Sequence, residues 1–296
     1  MPRTRTRFST LRIASLGIMV CAAGTAVHAQ APADSPAALP EVLVEGQRAA
    51  LKQRVEAFVR TVTENPGLSA DDSLVRWDIP MCLLAVGFSE ADGSRVSSRL
   101  AQIASLAGAP LARAPCPANF VIVATSEPER VLAAWYAKDS HLFGDAALAD
   151  IRRFLGGPQT RPVRVWRNLD RGRIASMRYG HFRASNEHAQ SSPFIRNSVV
   201  GFFSVFAIID TARALDVSLD QLSDYVAMAG LSDIDLDADM GSASSILRLF
   251  AAPAQTRLAA LSDWDLAFLK ALYQTDHTSK NQRFEIAQRV LNELSH

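Results

Sequence analysis

Four aspartates at alternating positions form one stretch of this sequence that could bind a metal ion. They lie in DIDLDAD, residues 233–239, at Asp233, Asp235, Asp237 and Asp239. An EF-hand calcium loop needs Gly at its sixth position and Glu at its twelfth. A loop that starts at Asp235 has Met240 and Ile246 there, and one that starts at Asp233 has Ala238 and Ser244. We therefore predict a solvated acidic loop that also caps neighbouring backbone, with a calcium site of another type as the alternative.

A second stretch, QLSDYVAMAGL at residues 221–231, resembles in outline the metal-binding helix of zincin peptidases. Those helices carry H-E-x-x-H, in which two histidines one turn apart bind zinc and the glutamate polarises its water. The five positions here hold SDYVA, so Ser223 and Ala227 replace the two ligands, and only Asp224 retains any of the chemistry. The resemblance implies a zincin-like second half that has lost its metal motif, and it supplies no metal ligand and no catalytic residue.

Several other segments resemble an uncharacterised group of secreted alphaproteobacterial proteins. The matching pieces are RWDIPMC, the cysteine before PANFVIVAT, RRFLGG with RPVRVW, QLSDYVAMAGL and SDWDLAFLKALY. The resemblance implies an exported domain and carries no activity. A separate piece, EVLVEGQR at residues 41–48, resembles a short segment near the start of outer-membrane transport receptors, but we expect an extended tail there.

No catalytic or cofactor-binding motif stands out elsewhere in the chain. There is no G-x-S-x-G, no phosphate-binding P-loop and no dinucleotide glycine pattern. The histidines outside the N-terminal leader lack the spacing of metal ligands: His141, His181, His188, His277 and His296. We therefore predict no cofactor and a non-catalytic domain that binds a protein or an envelope component. The alternative is a hydrolase whose active site lies around Asp224 and the acidic loop.

The N-terminus has the layout of a secretory signal peptide. Four arginines precede a mostly apolar run, and Val27-His28-Ala29 offers small residues for cleavage after Ala29. The run is shorter than the roughly 20 residues that span a bilayer. We predict a signal peptide at 1–29, a flexible Ala- and Pro-rich leader at 30–46, no transmembrane segment in the mature chain, and a periplasmic or secreted location.

Export also determines how the cysteines are interpreted. Cys21 leaves with the signal peptide, so the mature chain keeps Cys82 and Cys116. An even pair in an oxidising compartment favours a disulfide. The two residues lie on or just before two predicted strands that flank a helix, which makes a bridge across a β-α-β unit geometrically reasonable. Two buried free thiols are the alternative.

Charge argues against a nucleic-acid partner. The chain has a formal net charge of +1, and removing the four arginines of the signal peptide leaves about −3. One third of the chain is nonetheless rich in arginine, at Arg152, Arg153, Arg161, Arg164, Arg167, Arg171, Arg173, Arg178 and Arg183. We expect these side chains to pair with local carboxylates or to cover apolar surface with their stems. A face that binds an anionic group is the alternative.

Hydrophobic patterning predicts an α+β fold with one mixed sheet and helices packed mainly on one side. The strongest strand is GFFSVFAIID at residues 201–210, whose apolar run predicts burial on both faces. The following helix begins with the capping-box spacing of Ser218 and Gln221, and Gly230 is placed to end it in the left-handed conformation. We predict one domain over 47–296, with two lobes, 47–157 and 158–296, as an alternative division.

Overall fold

The computed structural model describes residues 41–64, 74–156, 161–174 and 198–295. The predicted signal peptide and most of the predicted leader lie outside these residues, as do Arg178, Arg183, His181 and His188. Within the described ranges, no helix is both long and apolar enough to cross a membrane.

The centre of the fold is a four-stranded mixed sheet. Its strands are β1 (Leu83–Val86), β2 (Phe120–Thr125), β3 (Val163–Ile174) and β4 (Ser198–Asp210), and their order across the sheet is β1-β2-β4-β3. β1 and β2 run parallel, as do β2 and β4, whereas β3 is antiparallel to β4. The two predicted lobes therefore contribute two strands each to one sheet.

Among the described residues, seven α-helices surround this sheet, and they confirm the predicted α+β class. They are α1 (Glu41–Thr63), α2 (Glu90–Ala107), α3 (Pro128–Lys138), α4 (Leu148–Gly156), α5 (Leu219–Leu231), α6 (Asp263–Gln274) and α7 (Gln282–Leu294). Five helices, α1, α2 and α5 to α7, contribute to the larger core, and α3 and α4 contribute to a smaller one. Most of the helical packing is thus on one face of the sheet, as predicted.

Strand β4 contributes to both cores because its side chains alternate between the two faces of the sheet. Val205 and Ala207 belong to the larger core, whereas Phe206 and Ile208 belong to the smaller one. All four are buried, which confirms the predicted burial on both faces for residues 205–208, whereas Phe203 nearer the start of the run is 61% exposed. The same strand pairs on both sides, so the apolar run GFFSVFAIID marks the middle of the sheet.

Helix α1 corrects the predicted leader. It begins at Glu41, so residues 41–46 belong to a helix and not to an extended tail. The sequence after Pro40 contains no further proline before Pro66 and is rich in good helix formers, which favour this extension. A Cβ atom added at Gly46 would meet no neighbour, and α1 reaches the core further along, through Val55, Phe58 and Val59.

A disulfide joins Cys82 and Cys116, with 2.07 Å between the sulfurs and 5.9 Å between the Cα atoms. Cys82 immediately precedes β1, and Cys116 lies shortly before β2. The bridge closes a segment that contains β1 and helix α2, and it connects the N-terminal ends of the parallel strands β1 and β2. The predicted pairing is confirmed. In the chain-entropy account, closing a loop of 34 residues stabilises the fold by about 3–4 kcal/mol.

Candidate functional site

Helix α5 contains the stretch that resembles a zincin metal-binding helix in sequence. It begins with the predicted capping box. The backbone N–H of Gln221 donates to the Ser218 hydroxyl over 3.2 Å, and the Ser218 N–H donates to the Gln221 side chain over 3.0 Å. These two bonds satisfy backbone donors that the first turn of a helix leaves without partners. From Leu222 to Leu231 every residue of the helix is buried. The helix is therefore a central packing element.

Asp224 is completely buried in an ion pair between α5 and α2. Its two carboxylate oxygens accept from Nε and Nη2 of Arg99, at 2.6 and 2.9 Å. A third bond comes from the backbone N–H of Leu261, just before α6, over 2.6 Å. The hydrogen bonds to Asp224 raise the pKa of Arg99. Asp224 thus joins three separate parts of the chain.

Ser223 and Ala227, the two positions that the sequence resemblance places at zinc ligands, are also used in packing. The Ser223 hydroxyl donates to the carbonyl oxygen of Leu219 over 2.7 Å, one turn earlier, and the Ala227 side chain is fully buried. Within the described residues, no group of three or more His, Cys, Asp or Glu side chains is arranged to hold a metal ion. Ser223, Asp224 and Ala227 therefore meet core side chains and neighbouring backbone.

Gly230 has a different role from the one predicted. The helix continues to Leu231, and Gly230 is absent from the glycines with positive φ. A Cβ atom at this position would lie 2.2 Å from the ring of Phe120 on β2. The carbonyl oxygen of Gly230 accepts from the indole N–H of Trp77 over 2.8 Å. This glycine therefore lets α5 approach the sheet closely, and the predicted left-handed stop is wrong.

The acidic loop behaves as the sequence predicts. Asp235 accepts from the backbone N–H of Asp237, and Asp239 accepts from that of Gly241, both over 2.8 Å. These short-range bonds are typical of aspartate in turns. The loop aspartates bond to backbone within their own turns, whereas Asp224 bonds to Arg99 and to the backbone just before α6. None of these bonds joins Asp224 to the loop. The structure does not bring Asp224 and the acidic loop together in one cleft.

The acidic loop instead meets the arginine-rich segment in a groove along β3. This groove, of about 320 Å³, is lined by residues 163–167 of β3, by residues 234–237 of the loop and by part of α4. A neighbouring cleft of about 330 Å³ shares Arg161 and Asp237 with it. We call the first of these the β3 groove. It is the candidate functional site, because it is open and rich in charged side chains.

Most arginines of the β3 groove have local partners. Arg164 is buried and pairs with Glu129, and its guanidinium lowers the pKa of that carboxyl group. Arg161 donates to the carbonyl oxygen of Leu247 over 3.2 Å and lies 3.6 Å from Asp237. These contacts confirm the predicted pairing with carboxylates for two of the arginines.

Arg167 differs from the other arginines of the groove. Its Nε and Nη2 both donate to the carbonyl oxygen of Ala229, at 3.1 and 2.7 Å, near the end of α5. Burial lowers its pKa, and the charges of Asp233 and Asp235 oppose that shift from a distance. Within the described part of the chain, Arg167 forms no salt bridge. It therefore places a half-buried cation beside the groove without a contacting carboxylate.

Two features of this region were not predicted from the sequence. The first is an aromatic wall in which the rings of Phe154 on α4 and Trp166 on β3 lie 5.0 Å apart. The second is Tyr225, whose buried hydroxyl has no hydrogen-bond partner among the described residues. Burial raises its pKa, while Arg161 and Arg167 act in the opposite direction. The first feature depends on how α4 packs on the strand that follows it, and the second depends on contacts of α5 with a segment about 60 residues earlier in the chain.

The chain matches no protein-family model, no curated protein and no solved structure.

Proposed function

We propose that this chain is an exported, non-catalytic domain that binds a protein or another envelope component. The observation that carries the proposal is the state of Asp224. Both of its oxygens accept hydrogen bonds, and its side chain is wholly buried between α2, α5 and the start of α6. A carboxylate that activates water or protonates a leaving group must reach a substrate. Asp224 supports the packing of three elements instead, which is consistent with a peptidase-like helix that serves as scaffold.

A hydrolase centred on Asp224 is the second candidate, and its motivation is the zincin-like order of elements. The same ion pair counts against it, because Arg99 occupies the carboxylate from one side and the Leu261 N–H from another. The open β3 groove is not lined by Asp224 or by the positions that the resemblance places at zinc ligands. Its lining of arginines, aspartates and aromatic rings suits recognition of a partner.

A periplasmic or secreted location completes the proposal. It is supported by the signal-peptide pattern of residues 1–29 and by the Cys82–Cys116 disulfide, since disulfides persist mainly in oxidising compartments. The mature charge of about −3 gives no support to a nucleic-acid partner, because such proteins usually present a strong excess of basic residues.

The test combines partner capture with an activity assay on the same preparation. The mature chain, purified from periplasm, is cross-linked in envelope extract and is also incubated with a panel of unfolded protein substrates. We expect a saturable complex with one component and no turnover above a heat-treated control. Turnover that Asp224→Asn abolishes, while the variant keeps its fold, would establish the hydrolase instead.

A further inference from the structure

Strand β3 is at the edge of the sheet, and the β3 groove runs along its free side. β3 pairs with β4 only, as far as the described strands show. Five consecutive residues, 163–167, line the groove. Because successive side chains of a strand point to opposite faces, a cavity that touches all five must face the strand edge. The groove therefore lies beside the backbone of β3. Val163 and Arg164 are buried there, so its open part follows Val165 to Arg167, about 10 Å at roughly 3.3 Å per residue.

The register shows which backbone groups face this groove. The N–H of Asp210 donates to the carbonyl oxygen of Pro162 over 2.8 Å, so their pair is hydrogen-bonded. In an antiparallel ladder the hydrogen-bonded pairs alternate, so Arg164 and Trp166 also bond to β4. The backbone groups of the intervening residues, Val163, Val165 and Arg167, point away from β4. On the other side of β4, the backbone N–H of Val205 donates to the carbonyl oxygen of Asn119, just before β2, which agrees with this alternation.

The walls of the groove indicate what kind of segment fits it. Phe154 and Trp166 provide an apolar wall on the side of α4, and the acidic loop forms the opposite wall. The three aspartates of the groove are engaged locally, since Asp150 pairs with Arg153, Asp237 lies 3.6 Å from Arg161, and Asp235 caps its own turn. Arg167 has no contacting carboxylate among the described residues, and its Nη1 makes no hydrogen bond with them. A negative charge on a bound ligand would therefore complement Arg167 beside β3.

We propose that the β3 groove binds an extended acidic peptide of a partner protein as an additional strand of the sheet. The inference rests on the proposed binding function and specifies its mode. The peptide backbone pairs with the outward N–H and C=O groups of Val165 and Arg167, where β3 is only half-buried, and an acidic side chain pairs with Arg167. Strand addition of this kind obtains affinity from main-chain hydrogen bonds and specificity from the flanking side chains.

The first test removes one outward N–H group. A library of random twelve-residue peptides is displayed and selected on the immobilised mature chain, and the enriched peptides are titrated against two variants. Val165→Pro deletes a donor that points into the groove and leaves the bonds to β4 in place, which edge strands tolerate. Val165→Ala keeps the donor and is the control. We expect enriched peptides to be acidic and to bind Val165→Pro at least roughly tenfold more weakly than Val165→Ala.

The second test reverses one charge at the groove. Arg153 is 77% exposed, lines the groove and pairs with Asp150 one turn away on α4. Arg130 is 74% exposed and pairs with Glu127 in the same way on α3, outside the groove. We expect Arg153→Glu to weaken the selected peptides roughly three- to tenfold at low salt and Arg130→Glu to leave them unchanged. Thermal unfolding checks that all four variants remain folded.

Three results would overturn this proposal. The first is a selection that yields no binding peptide, and the second is a set of peptides that bind Val165→Pro and Val165→Ala equally. The third is self-association of the chain that Val165→Pro abolishes, which would assign the groove to a second copy. The wider binding function is tested separately. An envelope component that Val165→Pro still captures would refute the groove and leave that function standing, whereas Asp224-dependent turnover would refute the function itself.

Discussion

Replacement of Asp224 by alanine tests most sharply whether α5 is a packing helix. The substitution leaves Arg99 without its carboxylate and the Leu261 N–H without its acceptor. Removing one member of a buried ion pair costs about 3–5 kcal/mol, because the remaining charge loses its partner away from water. The Arg99 side chain is 30% exposed and can partly rehydrate, so we expect the lower end of that range, about 3 kcal/mol.

The same two helices provide a matched control. Arg95 and Asp220 form a second two-pronged ion pair one turn away, with 2.9 and 2.5 Å between the paired atoms. The Asp220 side chain is 43% exposed, so its charge remains hydrated when the pair is broken. We therefore expect Asp220→Ala to leave the unfolding midpoint nearly unchanged, as is usual for surface ion pairs.

Urea unfolding followed by circular dichroism measures both variants with the disulfide intact. For a domain of this size, a loss of about 3 kcal/mol lowers the melting temperature by roughly 6–12 °C. The double variant Arg99→Ala, Asp224→Ala should lose less free energy of unfolding than the sum of the two single variants, because each single change leaves the other charge without its partner. The reasoning is refuted if Asp224→Ala and Asp220→Ala have equally small effects.

Three further changes test the packing elsewhere. Gly230→Ala should lower the free energy of unfolding by about 1–3 kcal/mol, because the new Cβ meets an aromatic ring of β2. Gly46→Ala on the exposed part of α1 should be neutral or stabilising by about 0.5–1 kcal/mol. Equal effects of the two changes in urea titrations would contradict this. Glu129→Gln should cost less than about 1 kcal/mol at pH 7, because the exposed carboxyl is screened by solvent. Its lowered pKa stabilises the fold above the ordinary pKa of glutamate, and this contribution is lost as the pH falls from that value through the lowered pKa. The difference between the two proteins should therefore shrink below about pH 4, and a difference that does not change between pH 7 and pH 3 would oppose that assignment. Replacing Cys82 and Cys116 by alanine should lower the unfolding free energy by about 3–4 kcal/mol, which a melting curve that matches the wild type would disprove.

The sequence was sufficient wherever the determinant is local. The capping box of Ser218 and Gln221 depends on a spacing of three residues, and it was predicted correctly. The central position of β4 followed from a run of consecutive apolar residues, which predicts burial on both faces of the strand. The disulfide followed from two cysteines beside adjacent strands. In each case the residues that decide the structure are close in sequence or restricted in number.

The sequence was insufficient where the determinant comes from a distant segment. Gly230 fits a helix stop by its type and position, but Phe120 of β2 decides its actual role. Asp224 fits a degenerate catalytic position, but its partner Arg99 is 125 residues away. The β3 groove depends on the strand order of the sheet, because only that order places β3 at an edge. Patterns along a chain do not encode such relations directly.

The metal content of the mature chain tests the central claim most directly. The chain is purified from periplasm without chelators or a metal-affinity step, and its zinc is measured by elemental mass spectrometry. Because Ser223 and Ala227 stand at the ligand positions and Asp224 is held by Arg99, we expect far less than one zinc ion per chain. One zinc ion per chain, lost together with peptide hydrolysis on chelation, would contradict the account of α5 as a packing helix in a binding domain.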